Sequence, residues 1–195
     1  MKDDVIPPLC DFARSGEKAH GVEETKDRLR KKFADMAEPM NSVEYTQENY
    51  VKLFPDSKVS TPIGWIKLGG HQFEKLKVNE RENLLGAMHQ TLTDPIVIIN
   101  EVEKRAFLFS KSFRNDLEKI KGVMSVVVDM NGTKVAISTH RRKPSNIINK
   151  IKKVADVAYE KPDNDRTAGN DPMNLVISDD TQSSITIPQP SPECQ

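Results

Sequence analysis

The chain has 195 residues, with 29 Lys+Arg balanced by 29 Asp+Glu and 36% hydrophobic residues. That length accommodates one core with appendages, and the apolar fraction is low enough that part of the chain should lie outside the core. No apolar run approaches the roughly 18 residues that a membrane-crossing helix needs, so no membrane partner is expected.

The N-terminus, MKDDVIPPLCDFARSGEK, is polar and acidic without an apolar stretch, so no secretory leader is expected. Cys10 and Cys194 are the two cysteines and lie near opposite ends, a pattern of neither a disulfide framework nor a zinc site. A reducing cytoplasm is the expected compartment, and no cofactor is expected.

The balanced charge is unevenly placed. Residues 1–40 sum to −1 and residues 41–120 to zero. Residues 121–153 hold 8 basic side chains and one acid, Asp129, whereas residues 154–195 hold 2 basic and 8 acidic. A basic block followed by an acidic tail suggests an anion-binding face with a solubilising or competing tail.

In chain order, residues 1–40 should form a helical arm of marginal order. Its helix runs from about Val22 to Met36, with a thin stripe of Leu29, Phe33 and Met36, and Pro39 ends it. Residues 41–153 read as the folded unit. Thr46 opens a short helix carrying Tyr50, Leu53 and Phe54, closed by Pro55. Val59 to Leu68 is β-biased but interrupted by Pro62 and Gly64, which suggests an edge strand or extended arm. His71 to Met88 has helical spacing with a break near Val78-Asn79.

A β-rich stretch follows. Ile96 to Ile99 is one strand, and Arg105 to Phe113 is another with Phe107, Phe109 and Phe113 on its core side. Val123–Met130 and Thr133–His140 flank Asn131-Gly132, a strong two-residue hairpin signal. Lys111 and Arg114 add charge that sequence does not distinguish from ordinary solubilising charge. Pro144-Ser145 opens a last short helix through Lys153, with Ile147, Ile148 and Ile151 as its buried edge. Residues 154–195 form an acidic tail, mostly disordered by composition. The expected class is α+β: N-terminal helices packed on a four-stranded antiparallel sheet, a short C-terminal helix and a disordered tail.

The last strand concentrates the candidate chemistry. Strict alternation puts Val135, Ile137 and Thr139 on the core face and Ala136, Ser138 and His140 on the other, next to Arg141, Arg142 and Lys143. A hydroxyl, an imidazole and three cations at one strand end suit a phosphate group. A second cluster comprises His71, Lys75 and Arg81. His71 and Lys75 are four apart and share a helix face, from which they could meet Ser138 and His140 across a cleft. Such a set suits RNA cleavage without a metal, in which a base activates the ribose 2′-OH, an acid protonates the leaving 5′-oxygen and cations hold the phosphorane charge. No phosphate-binding glycine loop, HExxH or GxSxG occurs.

Asn49-Tyr50, Phe54-Pro55, Val59-Ser60-Thr61-Pro62-Ile63-Gly64, Gln72-Phe73-Glu74-Lys75-Leu76, Arg81, Thr91 to Pro95 and Ser138-Thr139-His140-Arg141 together carry a family resemblance. From Glu48 to Lys153 the chain resembles the phage and mobile-element branch of the barnase–EndoU–colicin–RelE-like nucleases, of the type found in polyvalent proteins and toxin-like effectors. The resemblance implies a helix-plus-antiparallel-sheet fold and a metal-independent endoribonuclease. Its site would be His140, His71, Lys75, Arg81, Ser138, Thr139 and Arg141; beside it, the strand-end reading has Arg141, Arg142 and Lys143 binding substrate. The implied partners are RNA, such as tRNA or mRNA, and an antitoxin or immunity protein. The alternatives are a non-catalytic RNA-binding or protein-interaction module using the basic face 121–153, or a structural module whose basic helix 144–153 docks the acidic tail.

Overall fold

Asn131 and Gly132 both take positive φ, 54° and 83°, and Met130 pairs with Thr133 across them. That is the two-residue turn whose twist matches antiparallel strands. In the computed structural model, which describes residues 9–115 and 117–163 with side chains from Gly21 onward, this turn joins the two longest strands of the molecule.

The strands are β1 (Glu38–Pro39), β2 (Lys58–Thr61), β3 (Gly64–Leu68), β4 (Val97–Glu101), β5 (Ala106–Arg114), β6 (Ile120–Met130), β7 (Thr133–Arg142) and β8 (Val157–Glu160). They form one eight-stranded sheet in the order β2-β3-β7-β6-β5-β4-β8, with β1 paired to β5. The β3–β7 and β1–β5 pairings are parallel and the others antiparallel. The class is α+β, but the expected four-stranded antiparallel sheet is wrong: the sheet is mixed and twice as wide.

The extra strands come from short segments. Pro62 and Ile63 do not interrupt a strand; they are the turn of a β2–β3 hairpin, closed by the pair Thr61–Gly64, with the Thr61 hydroxyl donating to the Gly64 carbonyl at 2.6 Å. Pro62 thus occupies a place where no ladder N–H is required. β8 lies in residues assigned by composition to the tail. Its four residues pair with β4, and the Glu160 carboxylate accepts from Arg28 at 2.8 and 3.0 Å and from Lys32 at 2.8 Å. The rest of the expected disordered tail, from residue 164, lies outside the described residues.

Helices cover both sheet faces. On one face lie α2 (Gln47–Leu53), α3 (Gln72–Val78) and α4 (Leu85–Thr93), whose Tyr50, Leu76, Leu85, Met88 and Leu92 pack on Ile66, Leu68, Ile98, Phe109, Val127 and Ala136. α2 is capped by Thr46, whose hydroxyl accepts from the Asn49 N–H. The expected break falls after Val78, where Glu80 takes a φ of 53° before the chain re-enters helix. On the other face, α1 (Leu9–Asp35) and α5 (Pro144–Ile148) pack Leu29, Phe33, Ile147 and Ile148 against Val97, Ile99, Leu108 and Met124. The arm is therefore core from Gly21 onward: Leu29 and Phe33 are 0% and 1% exposed. α5 stops at Ile148 rather than Lys153, yet Ile151 remains fully buried.

Candidate functional site

The strand that carries the candidate residues departs from regular alternation. On β6, Val126 pairs with Ser138 and Val127 with Ala136, so Ile137 is an extra residue: a β-bulge. The bulge changes which side chains share a face. Ala136 is buried in the layer under α3 and α4. Thr139 points to that same interior, 2% exposed, with its hydroxyl bonded to Ser125 at 2.8 Å. His140 is paired with Met124 and lies on the opposite face. The expected grouping is thereby changed: Ser138 and His140 still share a face, opposite Val126 and Met124, but Ile137 joins them there while Ala136 lies with Thr139 on the other. Thr139 is a core hydroxyl on the face opposite His140.

Side chains from the α3 region hold the bulge in place. β3 pairs with β7 only at Val135 and Ala136, then turns away into α3. The vacated strand edge is taken by Gln72, 1% exposed; with its side-chain amide turned so that the nitrogen faces the Ile137 carbonyl at 3.0 Å and the oxygen the Ser138 N–H at 3.2 Å, both groups find a partner. Further along, the Arg81 guanidinium donates to the Thr139 carbonyl at 3.1 Å. Side chains thus satisfy edge groups that a strand would otherwise pair.

Two depressions meet at His140 and Arg142. The larger, about 510 Å³, has a floor of Leu108, Met124, Val126 and Ile137 and a polar rim of Glu101, Lys104, His140, Arg142, Asn146 and Lys150. The smaller, about 290 Å³, is lined by Asn79, Glu80, Arg81, Asn83, Leu84, His140, Arg141 and Arg142. An apolar floor with a few convergent polar groups is the usual makeup of a ligand site.

The imidazole of His140 is half-buried, and its pKa is lowered to about 4, first by burial and then by Arg142, Arg81 and Lys150. It is neutral at neutral pH and sits in a field of cations that an anion would relieve. Burial alone would raise Glu101, but hydrogen bonds from Lys150 at 2.9 Å and Lys104 at 3.2 Å hold its carboxyl below the usual range. Glu101 is therefore ionised and fixes Lys150 at the rim.

The sequence candidates divide accordingly. His140, Arg81, Arg141 and Arg142 come together. His71 and Lys75 are exposed at the start and on the outer side of α3 and line neither depression. Ser138 is partly buried opposite Val126, and Lys143 is exposed at the start of α5. The sequence reading missed Glu101, Lys104 and Asn146 entirely; Lys150 was visible only as part of the basic block. Lys111 is no surface charge at all: it is 1% exposed and pairs with Asp94 at 2.5 Å and Glu38 at 3.1 Å. His89 is half-buried against the Phe54 ring, with burial lowering its pKa.

Among the described residues, no group of three or more His, Cys, Asp or Glu is placed to hold a metal ion. No described helix is long and apolar enough to cross a membrane. Comparison with known proteins finds no matching family model, no matching curated protein and no matching solved structure.

Proposed function

We propose that the chain is an endoribonuclease that binds an RNA phosphodiester at His140 and cleaves it by attack of the neighbouring 2′-OH. One observation carries the reading: a neutral, half-buried imidazole shares its two adjoining depressions with Arg81, Arg142 and Lys150. The larger depression offers an apolar floor for a base and ribose, and the cationic rim lies where the phosphate would rest.

In this reading neutral His140 takes the 2′-OH proton as the oxygen attacks phosphorus. The phosphorane charge is held by Arg142 and Arg81, with Lys150 oriented by Glu101. As the bond to the 5′-oxygen breaks, the imidazolium just formed returns its proton to that oxygen. The products are a 2′,3′-cyclic phosphate and a free 5′-hydroxyl, and the protein ends unchanged. Approach of the phosphodiester monoanion would offset the cations around His140 and raise its pKa toward the working range. Membership of the barnase–EndoU–colicin–RelE-like nucleases, action within a toxin-like system and a cytoplasmic location belong to the same proposal.

The test is incubation of the purified chain with total RNA in EDTA, followed by analysis of the cut ends. The reading expects cyclic phosphate termini that disappear in His140→Ala. A second reading, a non-catalytic RNA-binding module, draws support from the placement of His71 and Lys75 outside the pocket, which leaves one imidazole to handle both proton transfers. Salt-sensitive RNA binding with intact RNA would establish that reading instead.

A further inference from the structure

The β2–β3 hairpin at the sheet edge carries Trp65, the single tryptophan of the chain, 70% exposed. Its neighbours Ile66 and Leu68 are buried toward α2–α4, so alternation sends Trp65 and Lys67 to the opposite face. Lys67 pairs with Val135 on β7, and Lys58 is the cross-strand partner of Lys67. His140 points to this same sheet face further along β7; across the bulge the stretch from Val135 to His140 matches four residues of β6, roughly 13 Å at strand spacing.

Trp65, Lys58, Lys67 and Lys134 enclose a depression of about 470 Å³ together with Pro55 and one acid, Asp56. Lys58 and Lys67 stand directly opposite each other on one face, an arrangement unfavourable by itself. Among the described residues neither lysine has an ion-pair partner. An exposed indole flanked by unneutralised lysines combines the two features that sequence-tolerant binding of single strands uses: a stacking surface and a charge track.

We infer that the hairpin face is a second contact for single-stranded RNA, with Trp65 stacking on an unpaired base and Lys58 and Lys67 holding the flanking phosphates. This rests on RNA being the ligand of the His140 pocket, and it specifies that ligand as unpaired and longer than a dinucleotide. A duplex keeps its base faces stacked internally and cannot offer one to the indole.

The single tryptophan makes the test direct. A 2′-O-methyl RNA strand, which cannot be cut by 2′-OH attack, is titrated into the full chain while Trp65 fluorescence is followed. The inference expects saturable quenching by the strand and none by a duplex; in the anisotropy of a dye-labelled strand, which reads the variants that lack the indole, it expects binding weakened roughly tenfold in Trp65→Ala and near-normal binding in Trp65→Phe. It also expects cleavage of a dinucleotide to be unchanged in Trp65→Ala. Binding of the strand without quenching, equal affinity of Trp65→Ala, or equal quenching by a poly-glutamate peptide would overturn it. Quenching that persists where no RNA is ever cut would sink the nuclease reading and leave this surface standing. Cleavage of long RNA undiminished by Trp65→Ala would do the reverse.

Discussion

Replacing Gln72 with Met tests how the bulge, and through it the site, is held. Met has similar length and flexibility, so the packing of this 1%-exposed side chain is largely kept while both of its hydrogen bonds go. The Ile137 carbonyl and the Ser138 N–H lose their partners at 3.0 and 3.2 Å, on a strand edge that β3 has already left. A buried backbone group left unpaired costs about 1–3 kcal/mol, so two together cost about 2–6 kcal/mol. With a urea dependence of about 2 kcal/mol per molar, the unfolding midpoint should fall by about 1–3 M. The same change frees the bulge to relax toward regular pairing, which would carry His140 away from Arg142 and Lys150. Its ring titration, followed by NMR, should therefore move up from about 4 toward the ordinary histidine value. A stability loss below about 1 kcal/mol together with an unmoved titration would refute the claim that Gln72 builds the site.

Three further outcomes follow from the same geometry. Phe33→Ala should cost about 3–5 kcal/mol in urea unfolding, since this ring is 1% exposed in the core under α1; a change within about 0.5 kcal/mol would return residues 21–36 to the status of a loose arm. As pH falls from about 6.5 to about 4, the unfolded chain takes a proton at His140 that the folded chain refuses, so stability falls through that window. Asp94, Glu101 and Glu160, also held low, add their own losses on acidification, so the measurement is the difference between wild type and His140→Gln, which should lose less. Glu101→Gln should release Lys150 and Lys104 to an anion, tightening RNA binding and steepening its salt dependence by about one ion; weaker binding would mean that the carboxylate itself holds the ligand.

Much of the local structure could be read from the chain alone because its causes are local. Asn131-Gly132 names its turn, Thr46 its cap, and the alternation of Phe107, Phe109 and Phe113 its core face. Arg141, Arg142 and Lys150 of the basic block line the depressions around His140, which residue types at one strand end had singled out. The spacing of His71 and Lys75 was sound helix geometry but had no bearing on where that helix would sit; they end exposed.

The remainder depended on contacts between distant segments. Two- to five-residue strands such as β1, β3 and β8 show no period of their own, and they become strands because a partner edge is there to pair with. The bulge at Ile137 leaves no mark in composition, yet one inserted residue reverses which side chains share a face, and it exists because Gln72 arrives from α3 to satisfy it. Glu101 joins His140 at one rim only because β4 and β7 lie in one sheet with α5 above them. Local sequence set the turns, the caps, most apolar faces and the charge of the basic block, each within a few residues, though not the facing of the last strand. Tertiary structure decided the width of the sheet, the face His140 occupies and the company it keeps, because these follow from hydrogen bonds and fields that act only once remote parts of the chain are brought together.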